Sequence, residues 1–314
     1  MTIFSNRHRL AAAILPTVAI SWLMTLIGIH FIEKYGAAIF IGTPFFIGFL
    51  TTLMYGQYSK EPVSKREYFC VGFLTLGVYA AGLLVFALEG IICILMAAPL
   101  AALGVWIGSL LALPFVSGNK RGGVSAMAIS LVLYPSSFVL DGKITERLEN
   151  RAVTSSVEID ATPEKVWSSV IGFTPIEEKP DLIFRLGVSY PTHAVLEGTG
   201  AGAIRRCHFS TGTFVEPITV WDPPNVLQFD VASQPDPMTE LTLWKIHPPH
   251  LTGYFASQKG RFEITKDSNG KVLLTGTTWY TQKIFPIAYW SIWTDVIIHA
   301  IHMRVLNHIK NEIE

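Results

Sequence analysis

Three groups of side chains in this sequence have types and spacings that could do chemistry. The first is a lone carboxylate. In the run Thr213–Val220, the two-residue alternation of a strand puts Phe214, Glu216, Ile218 and Val220 on one face. Glu216 is thereby a carboxylate among apolar neighbours. Facing a closed pocket, it would have a raised pKa and could serve as acid or base. Paired with Arg205 or Arg206 of a neighbouring strand, it would be structural. The pair is the favoured reading, because structural ion pairs perturb carboxylates too. The second group is Asp295 and His299, four residues apart, with His302 on the same side. An aspartate can fix an imidazole tautomer and make the ring a base. The plainer reading is a helix turning its polar side to water. An opposing Trp/Ile stripe favours that reading, as do Arg304 and His308 near the chain end, where exposure is expected. The third group is His247-Pro-Pro-His250, which could join His299 and His302 around a metal ion. No cysteine or second shell accompanies it. A stiff, aromatic-rich loop at a cavity mouth is the better account, and neither metal nor cofactor is expected.

Other motifs carry less. Gly198-Thr-Gly-Ala-Gly202 is followed by strand sequence rather than a helix, so it reads as a hairpin and not a nucleotide loop. There is no Gly-x-Ser-x-Gly elbow and no Walker loop. Trp279, Tyr280, Trp290 and Trp293 gather aromatic surface near one strand–helix junction, for which core packing is the default role.

The elements that must position these residues lie mostly at the end of the chain. Lys271–Tyr280 reads as a strand rich in β-branched and aromatic residues. Pro286 suits the first turn of a helix that then runs from Ile287 to about Ile309 without Pro or Gly. Trp290, Trp293, Ile297, Ile301, Arg304 and His308 share one face of it; Asp295, His299, His302 and Leu306 share the opposite face. A helix this apolar needs a sheet to lie across. The preceding residues offer one. Val153–Ile159 is a strand. Thr162 caps a helix that starts at Pro163 and carries Glu164 in its first turn. Thr174–Asp181 is a loop. Strands follow at about 194–197, 203–210, 213–220, 226–231, 253–256 and 261–265, with turn signals at Thr211-Gly212, Asp222-Pro-Pro-Asn225 and Asp267-Ser-Asn-Gly270. Strand, helix, a run of antiparallel strands and a long helix make an α+β pattern.

The first 140 residues are of another kind. Of all 314 residues, 50% are hydrophobic and 15% charged, and mean hydropathy is +0.40. That excess is too large for an ordinary soluble domain. Most of the charge lies beyond Asp141. Apolar runs at 10–32, 37–54, 69–88, 91–116 and 124–140 predict five membrane helices, the last near the lower length limit. Residues 141–152 read as a linker and 153–314 as one globular domain. Arg7 and Arg9, the 56–68 loop, and Lys120-Arg121 fall on one side if every span crosses, so the N-terminus is expected in the cytoplasm. A crossing at 124–140 puts the globular domain outside; a surface segment there keeps it inside. The bacterial cytoplasmic membrane is the expected location. Charged residues inside the spans are nearly absent, which argues for an anchor over a transporter. Zero net charge gives no reason to expect nucleic-acid binding. Three cysteines, Cys70, Cys93 and Cys207, form no framework.

The opening stretch "SSVEIDATPEKVWSSVIGF", together with the long helix after "LLTGTTWY", resembles the START-like superfamily, also called SRPBCC. Its members include polyketide cyclase/dehydrases, plant pathogenesis-related allergens and lipid-transfer domains. The segments "RCHFSTGTFVEPITVWDPPNVLQFDV", "IHPPHLTGYF" and "YWSIWTDVIIHAIHMRVLNHIK" also resemble a bacterial subgroup that appends this domain to a multi-span N-terminus. The resemblance covers about Val153 to the C-terminus. It implies a helix-grip domain, an antiparallel sheet wrapped around a long C-terminal helix with a hydrophobic cavity between. The whole chain is then an α-helical transmembrane region followed by that α+β domain. The resemblance implies no single reaction. The leading expectation is a membrane-anchored domain that binds a lipid or other hydrophobic small molecule. Arg206, His208, Phe214, Glu216, Trp279, Tyr280, Trp293, Ile297, His299 and His302 are its candidate ligand contacts. The alternatives are a cyclase- or hydrolase-type enzyme using Glu216 or the Asp295–His299 pair, and a membrane sensor or assembly factor.

Overall fold

The computed structural model describes residues 7–33, 35–59, 62–117, 120–143, 150–239, 253–266 and 271–314. The chain divides into two compact units, one built on five N-terminal helices and one on a sheet.

In the first unit, α1 (Arg7–Ile27) runs on into a π-helical turn at Gly28–Ile32, and a second π-turn at Ala38–Gly42 leads into α2 (Thr43–Gln57). Next come α3 (Lys65–Val85), α4 (Ile91–Ser117) and α5 (Lys120–Lys143). These give five helices long and apolar enough to cross a membrane. Glycine lets two of them approach closely. A Cβ on Gly48 of α2 would collide with the backbone of Val105 on α4, and one on Gly108 of α4 would collide with the backbone of Phe45. Small residues at such crossings are how apolar helices pack when no hydrophobic force separates them from lipid. Buried hydroxyls tie further pairs: Thr25 to Tyr79 at 2.7 Å and Thr43 to Tyr134 at 2.8 Å. Asp141, read from sequence as the start of a linker, is a residue of α5. Its carboxylate accepts from Ala38 N at 3.1 Å, so it satisfies an amide at a helix start.

In the second unit, β1 (Arg151–Ile159) leads through α6 (Pro163–Ile171) and the single turn α7 (Leu182–Arg185) to six more strands. These are β2 (Pro191–Glu197), β3 (Ile204–Phe209), β4 (Gly212–Asp222), β5 (Val226–Asp230), β6 (Phe255–Lys266) and β7 (Val272–Gln282); α8 (Ile287–Ile313) closes the chain. All neighbours are antiparallel, in the order β1-β7-β6-β5-β4-β3-β2. The sheet curls into a half-barrel with α8 across it, and this is the helix-grip fold. Thr162 caps α6 as its sequence suggests, accepting from Lys165 N. Gly198–Gly202 is the hairpin joining β2 to β3.

Two expectations about strands are corrected. Residues 253–256 and 261–265 do not form two strands; β6 is continuous, with a register shift between Ser257 and Lys259. Its Gly260 marks no turn. A Cβ there would strike the ring of Phe229 on β5, so glycine makes room for an aromatic side chain. Val220 does not share the face of Glu216 and Ile218. The β4–β5 register shifts between Ile218 and Val220, and Val220 is exposed. A bulge of this kind re-aims every side chain beyond it. The turn at Asp267–Gly270 lies outside the described residues.

Candidate functional site on the inner face of the sheet

The inner face, toward α8, carries Val153, Ser155 and Ile159 of β1, and Val272, Leu274, Gly276, Thr278, Tyr280 and Gln282 of β7. Across the sheet it continues through Gly260, Phe262 and Ile264, Leu227 and Phe229, Glu216 and Ile218, Arg205 and Cys207, and Ala194. The polar members gather at two places.

The first is Arg205 with Glu216. They are direct cross-strand partners on β3 and β4, and the Arg205 guanidinium donates to the Glu216 carboxylate. Arg205 is 2% exposed and Glu216 5%. The Phe173, Phe229 and Phe262 rings surround the guanidinium carbon at 5.7, 5.3 and 5.6 Å. Burial pushes the Glu216 carboxyl above its ordinary value, and Arg205 draws it partly back. Burial opposes the guanidinium charge as well, but Glu216 outweighs it, so Arg205 stays firmly protonated. Cys207 beside them is a neutral thiol, its pKa pushed up to about 12 by burial. Arg205 also holds the Cys207 side chain in a hydrogen bond. The ion pair expected for Glu216 is thus formed, with Arg205. Arg206 points to the outer face and pairs with Glu197 at 2.7 Å. Single-residue alternation along β3 decides which arginine is inside.

The second place is a polar seam along the first half of α8. The buried line of the helix runs Ser291, Ile298, Val305, Leu306, Ile309 and Ile313, and Asp295 and His302 stand on it at the intervening turns. Gln282 Nε2 donates to Ser291 Oγ at 2.8 Å, and Thr294 Oγ1 donates to Gln282 Oε1 at 2.8 Å. Tyr280 Oη donates to Asp295 Oδ1 at 2.6 Å, and Arg151 Nη2 donates to Asp295 Oδ2 at 3.2 Å. Burial, then the Asp295 contact, pushes the Tyr280 phenol up to about 12. Ser155 Oγ lies 2.7 Å from His299 Nδ1 and 3.1 Å from His302 Nδ1; Thr278 Oγ1 lies 2.7 Å from His302 Nε2. A serine hydroxyl carries one proton, so it donates to one ring and accepts from the other. The result is a chain of exchangeable protons from exposed His299 to Thr278. Burial holds His302 down at about 4, with His299 adding to the effect.

This seam overturns three expectations. His302 is turned from water and bonds the sheet; Asp295, its side chain 38% exposed, bonds the sheet too, and only His299 faces solvent as expected. Asp295 does not orient His299, because Tyr280 and Arg151 occupy its carboxylate while Ser155 holds the imidazole. Arg304 and His308 are not an exposed tail. His308 is 6% exposed, its Nε2 3.1 Å from the Thr174 carbonyl. Arg304 donates to the carbonyls of Pro191 at 3.2 Å and Glu178 at 3.0 Å. The reason is common to all three. Side chains of the sheet and main-chain carbonyls of the 174–191 segment supply partners, donors to Asp295 and acceptors for Arg304, that helical periodicity cannot display.

The remaining candidates scatter. His208 stacks on His193 of β2, with ring centroids 4.2 Å apart, and bonds Thr213 Oγ1 at 2.9 Å. Trp279 alternates to the outer face, where Lys259 Nζ lies 5.8 Å from its ring. Phe214 is inside, packed on Phe209 at 4.7 Å. Trp293 and Ile297 are half-buried. His247 and His250 lie outside the described residues, and among the described residues no metal-type cluster of histidine, cysteine and carboxylate forms. Sequence reasoning passed over Ser155, Thr278 and Gln282. Their signal was present: each is a polar residue at an inward position of an otherwise apolar alternation.

These features define a helix-grip domain whose inner face is apolar except for one ion pair and one hydrogen-bonded seam. No family model and no curated protein matches the sequence. Among solved structures, the chain is similar to XoxI from Bacillus cereus at 16% identity, over 52% of this chain and 94% of that one, with a TM-score of 0.34. It is similar to norcoclaurine synthase from Thalictrum flavum, solved with dopamine and hydroxybenzaldehyde, at 11% identity, over 54% and 93%, with a TM-score of 0.33. It is also similar to the di-domain ARO/CYC protein BexL of the BE-7585A biosynthetic pathway, at 14% identity, over 67% and 63%, with a TM-score of 0.34.

Proposed function

We propose that this chain is a membrane-anchored helix-grip domain that holds a lipid or other hydrophobic small molecule between α8 and the inner face of the sheet. One observation carries the reading: a single buried ion pair, Arg205–Glu216, set among Phe173, Phe229 and Phe262. Ligand sites of this class are mostly apolar, with a few fixed polar groups that orient the guest. The five apolar helices keep the domain beside the bilayer from which such a guest is drawn. With the basic loops cytoplasmic, the domain faces the other side of a bacterial cytoplasmic membrane. The test is native mass spectrometry with solvent extraction of the full-length protein purified from its own membrane. A defined hydrophobic mass retained with the protein is expected. Repeated recovery of the empty protein from mild detergents would reject the reading.

A second reading rests on the His299–Ser155–His302–Thr278 chain, which could pass a proton between solvent and a bound molecule. Extracts of wild type and His299→Ala separate the two. The same retained mass in both favours a binding protein. A different mass that accumulates only in the variant favours an enzyme.

A further inference from the structure

The outer face of the sheet carries a histidine pair that the binding reading leaves unused. His193 of β2 and His208 of β3 are direct cross-strand partners, and both are half-buried. Their rings stack with centroids 4.2 Å apart and 11° between the planes. The β2–β3 register slips between Pro191 and His193, so Thr192 is the extra residue of a bulge, an irregularity that re-aims the side chains beside it. Thr192 also places a proton. Its hydroxyl donates to the His208 carbonyl at 3.1 Å, so its one hydrogen is committed. His193 Nδ1 lies 3.1 Å from the same oxygen and must therefore be the donor. The ring proton of His193 is on Nδ1, and Nε2 keeps its lone pair. His208 Nδ1 is engaged in the same way, 2.9 Å from Thr213 Oγ1. Among the described residues, neither Nε2 has a hydrogen-bond partner. Partial burial, then the neighbouring His193 and Arg206, hold His208 below the ordinary histidine range, so its ring is neutral at pH 7.5. The Arg206 charge is balanced by Glu197 at 2.7 Å.

We infer that Nε2 of His193 and Nε2 of His208 form a two-imidazole site for a divalent late first-row metal ion such as zinc, nickel or copper. Imidazole nitrogen suits these ions, and magnesium and calcium prefer oxygen. A ligating histidine is oriented by the hydrogen bond at its other nitrogen, which here goes to a threonine hydroxyl on each ring. The stacked rings lie side by side, and a turn of each about its Cβ–Cγ bond brings the two lone pairs onto one ion. No third histidine, cysteine or carboxylate joins them among the described residues. Water completes the coordination, so the ion exchanges with solvent, unlike one held in a closed four-ligand site. The pair is on the side of the sheet opposite Ala194 and Cys207, which face α8. The inference therefore stands or falls independently of whether the interior holds a guest.

The test is calorimetric titration of zinc chloride into the full-length protein, freed of any histidine tag, at pH 7.5. One ion per chain is expected, with no binding of magnesium. Binding should be lost at pH 5.5, where protons compete for the ring nitrogens. His193→Ala and His208→Ala should each weaken zinc binding by about tenfold or more, and Thr192→Val, which frees the His193 tautomer, should weaken it by about tenfold. Should the variants fail to fold, copper(II) bound to wild type still decides: its electron paramagnetic resonance spectrum should show coupling to two imidazole nitrogens. Coupling to fewer than two would overturn the inference. Zinc binding that survives in the variant lacking both histidines belongs to other residues and would overturn it too, as would the absence of zinc binding to wild type.

Discussion

At the scale of single residues, the interior holds charge in one place and exchangeable protons in another, and the two behave differently. Removing one member of a buried pair strands the other. Arg205→Met should therefore destabilise the domain by about 3–5 kcal/mol, whereas Arg205→Met with Glu216→Leu should recover most of that loss. Denaturant unfolding followed by tryptophan fluorescence checks both. A single variant no less stable than the double one would show that the pair is not electrostatically closed. His302 answers to pH. In the unfolded chain it takes up its proton near 6.5, and in the folded chain only near 4. Its contribution is complete above about pH 6.5 and declines as pH falls through that window. At most about 3 kcal/mol is lost by pH 4. His302→Asn should flatten the stability profile between pH 6.5 and 4, and NMR titration should find a ring whose midpoint lies well below 6. Such residues were only half legible in the sequence. Alternation in a strand put Glu216 inside and left Arg205 or Arg206 as its partner; the β3–β4 register decides for Arg205. The partners of His302, Asp295 and Arg304 lie 15 or more residues away along the chain, so no local pattern could name them.

At the scale of elements, α8 is held by two unlike halves. Its last turns bury Val305, Leu306, Ile309 and Ile313 against the sheet; its first turns hold it by side-chain hydrogen bonds through Ser291, Asp295 and His302. Leu306→Ala should cost about 2–5 kcal/mol, because Leu306 is 0% exposed and the sheet cannot collapse onto the space. Ile292→Ala should change stability by less than about 0.5 kcal/mol, since Ile292 is 63% exposed. Thermal unfolding of the two variants side by side tests the contrast. Three-to-four spacing showed in the sequence that α8 is a long helix with a buried side. It did not show which side, because the buried line through Ser291, Ile298, Val305 and Leu306 runs between the two stripes, taking in Trp290 and His308 of the one and leaving His299 of the other exposed. Hydrophobic bulk is a weak guide to orientation where the opposing surface offers hydroxyls.

At the scale of the whole molecule, the order of elements was the most legible feature. Length and apolarity define the five helices, and the succession of strand, helix, strands and long helix defines the grip. On the proposed membrane-anchored reading, the side the domain faces follows from whether α5 crosses, and that is open to direct measurement. Alkaline phosphatase fused after Glu314 should be active in bacteria and green fluorescent protein fused there should be dark; the reverse pattern would put the domain in the cytoplasm. The division of α8 also has a thermal consequence. Apolar contact weakens on cooling, while hydrogen bonds formed with favourable enthalpy weaken on warming. The grip therefore has no single weak end. Warming should loosen the beginning of α8 first and chilling should loosen its close, so the route by which the inner face first meets solvent is a property of growth temperature as much as of sequence.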